Sequence, residues 1–281
     1  MHKITICGAG IMGSGIAQVV AQSGFRTILF DLDQAIIQKA KTSISKNLQS
    51  LLDKKKISPE QKELAESIIV FTSDINDCKA DLIIEAIVER LDAKLSLFRQ
   101  LAELNSPETI LATNTSSLSV KDIAEKNQNP ERVIGLHFFN PAPLMKLVEI
   151  VNTSFTSQEI TNKVISFARD LGKTPVLCKD SPGFIVNHVA RPYYIEALRL
   201  VEEGHTDFET IDQLLESAGF KMGPFKLMDL IGNDINYAVS CSVFEALGKP
   251  HRLEPSKIQE EKVKAGDLGR KSGKGYYKYE G

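Results

Sequence analysis

Two residues in neighbouring apolar runs of the sequence could carry acid–base chemistry. His137 lies near the end of residues 133–139, and Glu149 follows twelve residues later within residues 145–151. Short runs of Val, Ile, Leu and Phe bounded by proline predict buried strands of an α/β sheet, whose ligands bind beyond the carboxyl ends of the strands. An imidazole there can take up and return a proton near pH 7, and a nearby carboxylate would fix its tautomer. From the spacing alone, a structural histidine is an open alternative.

The N-terminal sequence predicts a dinucleotide-binding loop. Residues 3–7 form a β-rich run, a G-x-G-x-x-G motif follows, and residues 16–21 have the composition of a helix. In this order the first glycine allows a tight turn, the second lets backbone amides approach a pyrophosphate, and the third packs the helix on the strand. We therefore expect the cofactor to contact Gly8, Gly10, Ile11, Met12 and Gly13. The alternative for the glycines is a tight turn without a ligand.

An acidic residue follows the second predicted strand. Residues 26–30 are β-rich, and Asp31 comes eighteen residues after Gly13. A carboxylate at this position hydrogen-bonds the adenosine ribose and repels a 2′-phosphate, which favours NAD over NADP. FAD binds to the same kind of opening, but nothing else in the sequence suggests a flavin. No Gly-Lys-Ser/Thr follows the glycines, which excludes a P-loop.

Composition excludes several classes of protein. The chain has 281 residues, of which 42% are hydrophobic and 25% charged, and its formal net charge is −2. This length can bury one large core and a smaller one, and the balanced charge gives no reason to expect nucleic acid or an anionic membrane as a partner. No apolar run approaches membrane-spanning length, and the first strand begins too early to leave room for a signal or transit peptide.

The cysteines and histidines suggest neither disulfides nor a metal site. The four cysteines, Cys7, Cys78, Cys178 and Cys241, are scattered through apolar segments without a C-x-x-C motif. We expect reduced, buried thiols, as in a cytoplasmic protein. Because the five histidines and four cysteines never cluster at ligand spacing, we expect no metal.

Strand-like and helix-like segments alternate up to about residue 180. Residues 34–52 carry apolar side chains at helical spacing, and Ser58 opens a capping box for a second helix. We therefore expect a helical hairpin that projects from the sheet. Further strands are predicted at residues 68–71, 82–85, 109–113 and 174–178, with helices after Leu91 and over residues 158–170.

Beyond residue 183 the pattern is helical only. Ser181 and Pro182 are typical of the cap and first position of a long helix that runs to about Glu203, and Thr206 with Glu209 is typical of a further capping box. The sequence thus predicts an α/β fold. Residues 1–183 would form an N-terminal Rossmann-type sheet domain with a helical hairpin insertion, and residues 184–281 an all-α C-terminal domain.

Polar residues follow two of the predicted strands. Residues 114–117, Asn-Thr-Ser-Ser, could hydrogen-bond a ligand oxygen, although a helix N-cap is the alternative for any one of them. Glu85 and Glu89 close the preceding strand, where a carboxylate that faces solvent at the start of a helix is the simpler interpretation.

Two groups outside the sheet could meet a substrate. Asn187 and His188 lie one turn into the helix predicted to begin the second domain, where a solvated face is the ordinary alternative. Lys54, Lys55 and Lys56 end the first hairpin helix. A run of charge there is usually solvated and complements the helix C-terminus.

Eight segments together resemble the L-3-hydroxyacyl-CoA dehydrogenase family, in order and over essentially the whole chain. They are residues 8–15, 85–89, 114–118, 135–141, 146–149, 180–187, 222–232 and 265–273. Within that family, the compact length is similar to that of the single-function 3-hydroxybutyryl-CoA dehydrogenases, since no hydratase region is fused.

The resemblance implies a role for each candidate residue. His137 would be the general acid/base and Glu149 the residue that orients it. Ser116 would hydrogen-bond the 3-oxygen of the substrate, and Asn187 would hold the substrate close to its thioester. The remaining candidates would meet the cofactor or coenzyme A: Glu89, Lys94 and Asn114 along the NAD, and Lys54 at coenzyme A.

The resemblance further implies a homodimer through the C-terminal domain and an acyl-CoA substrate. Around residues 43–47 the match is looser, so a second coenzyme A contact is not placed there. The implied reaction is oxidation of an L-3-hydroxyacyl-CoA, with a short acyl chain, to the 3-ketoacyl-CoA. Two alternatives are a related dehydrogenase of a free hydroxy acid or sugar acid, and a non-catalytic NAD-binding structural protein.

Overall fold

The alternating part of the chain folds into one eight-stranded sheet. A computed structural model of the protein describes residues 1–279. The strands are β1 (Lys3–Cys7), β2 (Arg26–Phe30), β3 (Ile69–Thr72), β4 (Leu82–Glu85), β5 (Ile110–Thr113), β6 (Val133–Phe138), β7 (Leu147–Asn152) and β8 (Thr174–Lys179). Their order is β3-β2-β1-β4-β5-β6-β7-β8. Every neighbouring pair is parallel except β6 and β7.

The order of the first six strands is that of a Rossmann-type sheet, and it confirms the predicted fold class. Strands β4, β5 and β6 are buried at every position, as expected for central strands covered on both faces. The helices of this part are α1 (Ile11–Gln22), α2 (Gln34–Asp53), α3 (Pro59–Ser67), α4 (Leu91–Leu104), α5 (Val120–Glu125) and α6 (Gln158–Asp170).

Helices α2 and α3 form the hairpin predicted between the second and third strands. The Asp33 side chain caps α2 by accepting a hydrogen bond from the backbone of Ala35. At α3 the Ser58 hydroxyl accepts from the Gln61 amide while the Gln61 side chain accepts from the Ser58 amide, which is a complete capping box. The local sequence therefore determines both helix starts.

The second part of the chain is helical. The structure divides into two units, Met1–Asp180 and a second that begins at Ser181. The helices of the second unit are α7 (Val186–Glu202), α8 (Phe208–Ser217), α9 (Pro224–Ile231), α10 (Asn233–Ala246) and α11 (Lys257–Lys264). Among residues 181–279 the only β-type pairing consists of isolated bridges. Leu198, Phe225 and Met228 are fully buried in its core.

Two predicted helix starts in the second unit are wrong. The long helix begins at Val186 and not at Ser181, because Gly183 (φ +74°) and Phe184 (φ +49°) adopt left-handed backbone that a right-handed helix cannot contain. The cap of α8 is Asp207, one residue after the predicted Thr206, and its carboxylate accepts from the Thr210 amide at 2.8 Å. In the first unit, α1 begins at Ile11, directly after the second glycine, and not at residue 16.

All four cysteines are free, and three of them are buried, whereas Cys241 is half-buried. Burial, with a smaller contribution from the charge of Glu149, raises the pKa of Cys178 to about 12, so this thiol stays protonated.

None of the helices described within residues 1–279 combines the length and apolar character required to cross a bilayer.

Candidate active site

The glycine-rich loop connects β1 to the N-terminus of α1. A Cβ atom on Gly13 would lie 1.7 Å from the carbonyl oxygen of Gly8, so only glycine allows this approach of helix and loop. A Cβ on Gly10, the N-cap of α1, would meet nothing within 4 Å. The helix N-terminus therefore faces open space, as a loop that receives a pyrophosphate requires.

Asp31 lies beside this loop at the end of β2. Its carboxylate accepts hydrogen bonds from the Ala9 amide at 2.8 Å and the Asp33 amide at 3.0 Å. It lines a mainly apolar cavity of about 580 Å³ together with Gly10, Leu32 and other residues of the first unit. The cavity offers apolar walls with a carboxylate at one side, which suits the adenosine half of NAD.

His137 and Glu149 form the hydrogen-bonded pair that their spacing suggested. They are directly opposite one another across the antiparallel strands β6 and β7, so their side chains lie on the same face of the sheet. Nδ1 of His137 is 2.7 Å from Oε2 of Glu149, and both side chains are buried. With Nδ1 engaged by a carboxylate, Nε2 is the nitrogen that can exchange a proton with a substrate.

The loop after β5 is organised by Glu89. Oε1 of this carboxylate accepts from the hydroxyl of Thr115 at 2.5 Å, from the amides of Ser116 and Ser117 at 2.9 and 3.2 Å, and from the Ser117 hydroxyl at 3.1 Å. The N-cap of the following helix α5 is Ser119, so the N-cap alternative does not hold for residues 114–117. The loop is instead shaped to carry Ser116 at the carboxyl edge of the sheet.

Behind this loop lies a buried ion-pair network that the sequence interpretation missed. The Lys94 ammonium is 2.6 Å from Oε1 of Glu85 and 3.1 Å from Oε2 of Glu89. Burial alone would raise the pKa of Glu89, but the Lys94 charge and the hydrogen bonds from Thr115 and Ser116 leave that pKa below its ordinary value.

The solvent-facing interpretation of Glu85 is therefore wrong. Its side chain is fully buried, because β4 is a central strand, and it also accepts a hydrogen bond from the Thr113 hydroxyl at 2.7 Å. The signal in the sequence was an acid that closes an apolar strand, followed nine residues later by a lysine on the next helix. Such an acid requires a buried counter-ion.

Two residues connect the histidine strand to its surroundings. Asn114 donates its backbone amide to the Glu85 carbonyl at 2.7 Å and accepts from the amide of Phe138 at 2.8 Å, next to the histidine. Lys173 is buried and donates its ammonium to the carbonyls of Ala142 and Met145 at 2.6 and 2.8 Å, which fixes the loop after β6. Nothing in the sequence around Lys173 signals this contact.

Two further candidates, Lys54 and Asn187, belong to helices. Lys54 is the exposed C-cap of α2, as predicted. Asn187 belongs to the second unit, in the first turn of α7, and His188 beside it is hydrogen-bonded through Nδ1 to the Pro182 carbonyl at 3.0 Å. No group of three or more potential metal ligands occurs among residues 1–279.

Comparison with known proteins covers both units. Residues 3–181 match the family described as 3-hydroxyacyl-CoA dehydrogenase, NAD binding domain, and residues 183–279 match the family described as 3-hydroxyacyl-CoA dehydrogenase, C-terminal domain. The residues of the glycine-rich loop, Asp31 and the His137–Glu149 pair all fall within the first match.

Three relatives represent the range of similarity. The chain is 47% identical to 3-hydroxyadipyl-CoA dehydrogenase of Escherichia coli over 99% of its own length but only 59% of that protein's length. It is 42% identical to a probable 3-hydroxybutyryl-CoA dehydrogenase of Deinococcus radiodurans over 99% of this chain and 100% of that one. The crystal structure of (S)-3-hydroxybutyryl-CoA dehydrogenase from Ralstonia eutropha superposes with a TM-score of 0.95 at 35% identity, with all of both chains covered.

Proposed function

The chain belongs to the 3-hydroxyacyl-CoA dehydrogenase family, and on this basis we propose that it interconverts an L-3-hydroxyacyl-CoA and the corresponding 3-ketoacyl-CoA with NAD. The observation that carries the proposal is the His137–Glu149 pair, 2.7 Å apart and buried, at the sheet edge that also holds the glycine-rich loop. Family membership favours the acyl-CoA reaction over a free hydroxy acid as substrate, and the buried His137–Glu149 pair favours catalysis over a non-catalytic role.

NAD fits the residues of the first unit. The open N-terminus of α1 beyond Gly10 would hold the pyrophosphate, Asp31 the ribose, and the apolar cavity the adenine. Glu89, Asn114 and Lys94 would lie along the cofactor. Lys94 pairs there with the carboxylates of Glu85 and Glu89. When bound, NAD supplies the acceptor for the hydride that leaves C3 of the substrate.

Side chains of the protein would accept the proton of the 3-hydroxyl and return it in the reverse reaction. Nε2 of His137 takes the proton of the 3-hydroxyl as the carbonyl forms, and in ketone reduction the imidazolium returns it. Glu149 orients the ring and stabilises the charge that the imidazole acquires. Ser116, on the loop held by Glu89, would hydrogen-bond the 3-oxygen, and Asn187 would hold the substrate near its thioester.

The first test combines turnover and cofactor choice. The purified protein should reduce acetoacetyl-CoA with a kcat/KM for NADH at least tenfold above that for NADPH, because the Asp31 carboxylate would oppose a 2′-phosphate. Asp31→Ala should narrow the preference without abolishing turnover, followed by absorbance of NADH and NADPH. Equal use of both cofactors by the wild type would show that Asp31 does not meet the ribose, and no turnover with either would refute the proposed reaction.

Lys54 is proposed to meet a phosphate of coenzyme A. Lys54→Ala should raise KM for acetoacetyl-CoA, more at low salt than at high salt, because an exposed ion pair is screened by salt. KM for NADH should stay constant. Lys126→Ala is the matched control, since Lys126 is also an exposed lysine at the C-cap of a helix, α5. If Lys54→Ala leaves the acyl-CoA KM as low as the control does, the lysine is only a solvated helix end.

The second unit is the proposed dimer interface. Large apolar side chains are exposed on its helices and turns, among them Leu214 at 67%, Phe220 at 51% and Ile235 at 48%. Exposed apolar side chains of this size are typical of a surface that a second copy covers. Sedimentation velocity checks this directly, because a sample that sediments as a single chain at micromolar concentration contradicts it.

We also propose a cytoplasmic location, which the four free cysteines support.

The names of the relatives differ in one chemical respect. The Escherichia coli relative is named for an acyl chain that ends in a carboxylate, and the Deinococcus radiodurans and Ralstonia eutropha proteins for a four-carbon chain without one. The general reaction proposed above is the same in both cases. We propose a short acyl chain, as the sequence predicts.

A further inference from the structure

The ion-pair network of Glu85, Glu89 and Lys94 is not electrically neutral. The Lys94 ammonium is 2.6 Å from Glu85 and 3.1 Å from Glu89, so two carboxylates share one cation. Arg90, the next basic residue in sequence, is exposed and pairs with Asp92 instead. Among residues 1–279, neither glutamate of the network forms an ion pair with another cation. Two negative charges and one positive charge leave the network with one uncompensated negative charge.

The hydrogen bonds to both glutamates favour their ionised forms. Oε1 of Glu85 accepts from the Lys94 ammonium at 2.6 Å and from the Ile87 amide at 2.8 Å. Oε1 of Glu89 accepts from the Ser116 amide at 2.9 Å. These N–H groups can donate a hydrogen bond but cannot accept one from a protonated carboxyl group. They therefore stabilise the carboxylates and with them the net charge of the network.

Glu89 is the member of the network that lies closest to the proposed reaction. Its side chain is 36% exposed, whereas the side chains of Glu85 and Lys94 are almost completely buried. Oε1 of Glu89 is 3.5 Å from Oγ of Ser116, in addition to its hydrogen bond with the Ser116 amide. The uncompensated charge therefore lies directly beside the Ser116 hydroxyl.

The proposed reaction relates this charge to the nicotinamide. Under the proposed function, Ser116 hydrogen-bonds the 3-oxygen of the substrate, and a hydride moves between C3 and the nicotinamide. Because reacting atoms must be in contact, the nicotinamide ring would bind next to C3 and thus near the network. The ring has a positive charge in NAD⁺ and none in NADH. A negative charge nearby attracts the oxidised ring and affects the reduced ring much less.

We propose that the uncompensated negative charge of the network, through Glu89, strengthens the binding of NAD⁺ relative to NADH. This inference rests on the proposed function and adds a specificity for the oxidation state of the cofactor. Lys94 would then pair with the carboxylates without neutralising them. In the direction of alcohol oxidation, the loss of the ring charge would weaken binding of the cofactor and favour release of NADH.

The experiment measures binding and not turnover. Kd for NAD⁺ and Kd for NADH are determined separately by isothermal titration calorimetry at pH 7.5 or about that value, and the first is divided by the second. Glu89→Gln should raise this ratio by about tenfold, the order of magnitude for one charge that acts over about 10 Å at an effective dielectric constant of about 20. A dissociation constant does not depend on the folded fraction, so partial unfolding cannot mimic the shift.

Glu85→Gln separates net charge from direct contact. Glu85 is fully buried, so it cannot touch the cofactor, but its replacement removes the same unit of charge from the network. The ratio should therefore shift in the same direction as in Glu89→Gln. A shift in Glu89→Gln alone would mean that Glu89 acts through a local contact, and it would overturn the role of the net charge.

Two control variants should keep the wild-type ratio. Thr115→Val removes the hydroxyl that donates to Glu89 at 2.5 Å, so it disturbs the Ser116 loop without a change of charge and should affect both cofactors alike. Glu66→Gln is the matched control for charge. Glu66 also accepts from a serine hydroxyl, at 2.7 Å, and pairs with a lysine, at 3.0 Å, but it lies on α3 of the hairpin.

Two results would overturn the inference. One is a ratio in Glu89→Gln within about twofold of the wild type, which is less than 0.5 kcal/mol or about that value. The other is a shift of the same size in Thr115→Val, because loop distortion would then explain it. A wild type that reduces acetoacetyl-CoA while either result holds keeps the proposed function and loses only this inference. A wild type that does not reduce acetoacetyl-CoA refutes the proposed function itself.

Discussion

Replacement of His137 by glutamine is expected to lower kcat by on the order of 10²- to 10⁴-fold, which is the usual contribution of a positioned general acid/base. KM for acetoacetyl-CoA should change little, because the other proposed contacts to the substrate, from Ser116, Asn187 and Lys54, remain. Steady-state kinetics of acetoacetyl-CoA reduction by NADH measure both constants.

Glu149→Gln is expected to reduce kcat in the same direction, because the neutral amide neither stabilises the imidazolium nor fixes the tautomer. Since His137 and Glu149 act through one hydrogen bond of 2.7 Å, the double variant should be little worse than the more damaging single one. Multiplicative losses in the double variant would mean that the two residues act independently.

The control for this pair is His251→Gln. His251 also meets a glutamate, with Nδ1 3.2 Å from Oε2 of Glu254, but its side chain is 91% exposed. His251 belongs to the second unit and is not one of the proposed site residues, so activity should be unchanged. If His137→Gln were as active as this control, His137 would have only a structural role and the proposed mechanism would be wrong.

Replacement of Lys94 by methionine is expected to lower the free energy of unfolding by about 3 to 5 kcal/mol, since it removes one partner of a buried ion pair and leaves Glu85 as an uncompensated buried charge. The ammonium and the Glu85 carboxylate are 2.6 Å apart, and both side chains are almost completely buried. Methionine keeps most of the length and apolar contacts of the lysine stem. Urea unfolding at 25 °C measures the change.

The pH dependence of this loss follows from the direction of the Glu89 pKa. That pKa is lowered in the folded protein by the Lys94 charge and by hydrogen bonds, against the effect of burial. The stability that it provides is therefore present at neutral pH and lost as the pH falls through the lowered pKa. In Lys94→Met the Glu89 carboxylate lacks the charge that lowers its pKa, so the difference from wild type should be larger at neutral pH than at about pH 3, below the ordinary glutamate pKa.

Lys62→Met provides the comparison at the surface. Lys62 is 3.0 Å from Glu66 in an i, i+4 pair on α3, and both side chains are partly exposed. Its removal should change stability by no more than about 0.5 kcal/mol. If Lys94→Met were equally mild, the network behind the Ser116 loop would not be what holds that loop in place.

The local sequence determined the parts of this protein that depend on neighbouring residues. The glycine-rich loop follows from steric limits, since Gly13 must approach Gly8 more closely than any side chain allows. The hairpin follows from the Asp33 cap of α2 and the capping box at Ser58. The alternation of buried strands with amphipathic helices, and its end near residue 180, predicted the fold class for the same reason.

Tertiary structure decided everything that depends on residues far apart in the chain. Spacing placed His137 and Glu149 in adjacent strands, but only the antiparallel register of β6 and β7 sets them opposite one another on one face. A shift of one residue would have moved the glutamate to the other face. The start of α7 could not be predicted locally either. Ser181 and Pro182 favour a helix start at that point, but the left-handed backbone at Gly183 and Phe184 prevents it.

Burial of charge was the least predictable feature. Lys94 and Arg191 have the sequence context of ordinary surface residues on helices, and Glu85 that of a strand end open to solvent, yet all three are buried. For Glu85 and Lys94 the fold supplies the opposite charge. For Arg191 it supplies only neutral acceptors. Whether a charged side chain is solvated or paired depends on which strands and helices cover it, and that is set by long-range packing and not by its neighbours in sequence.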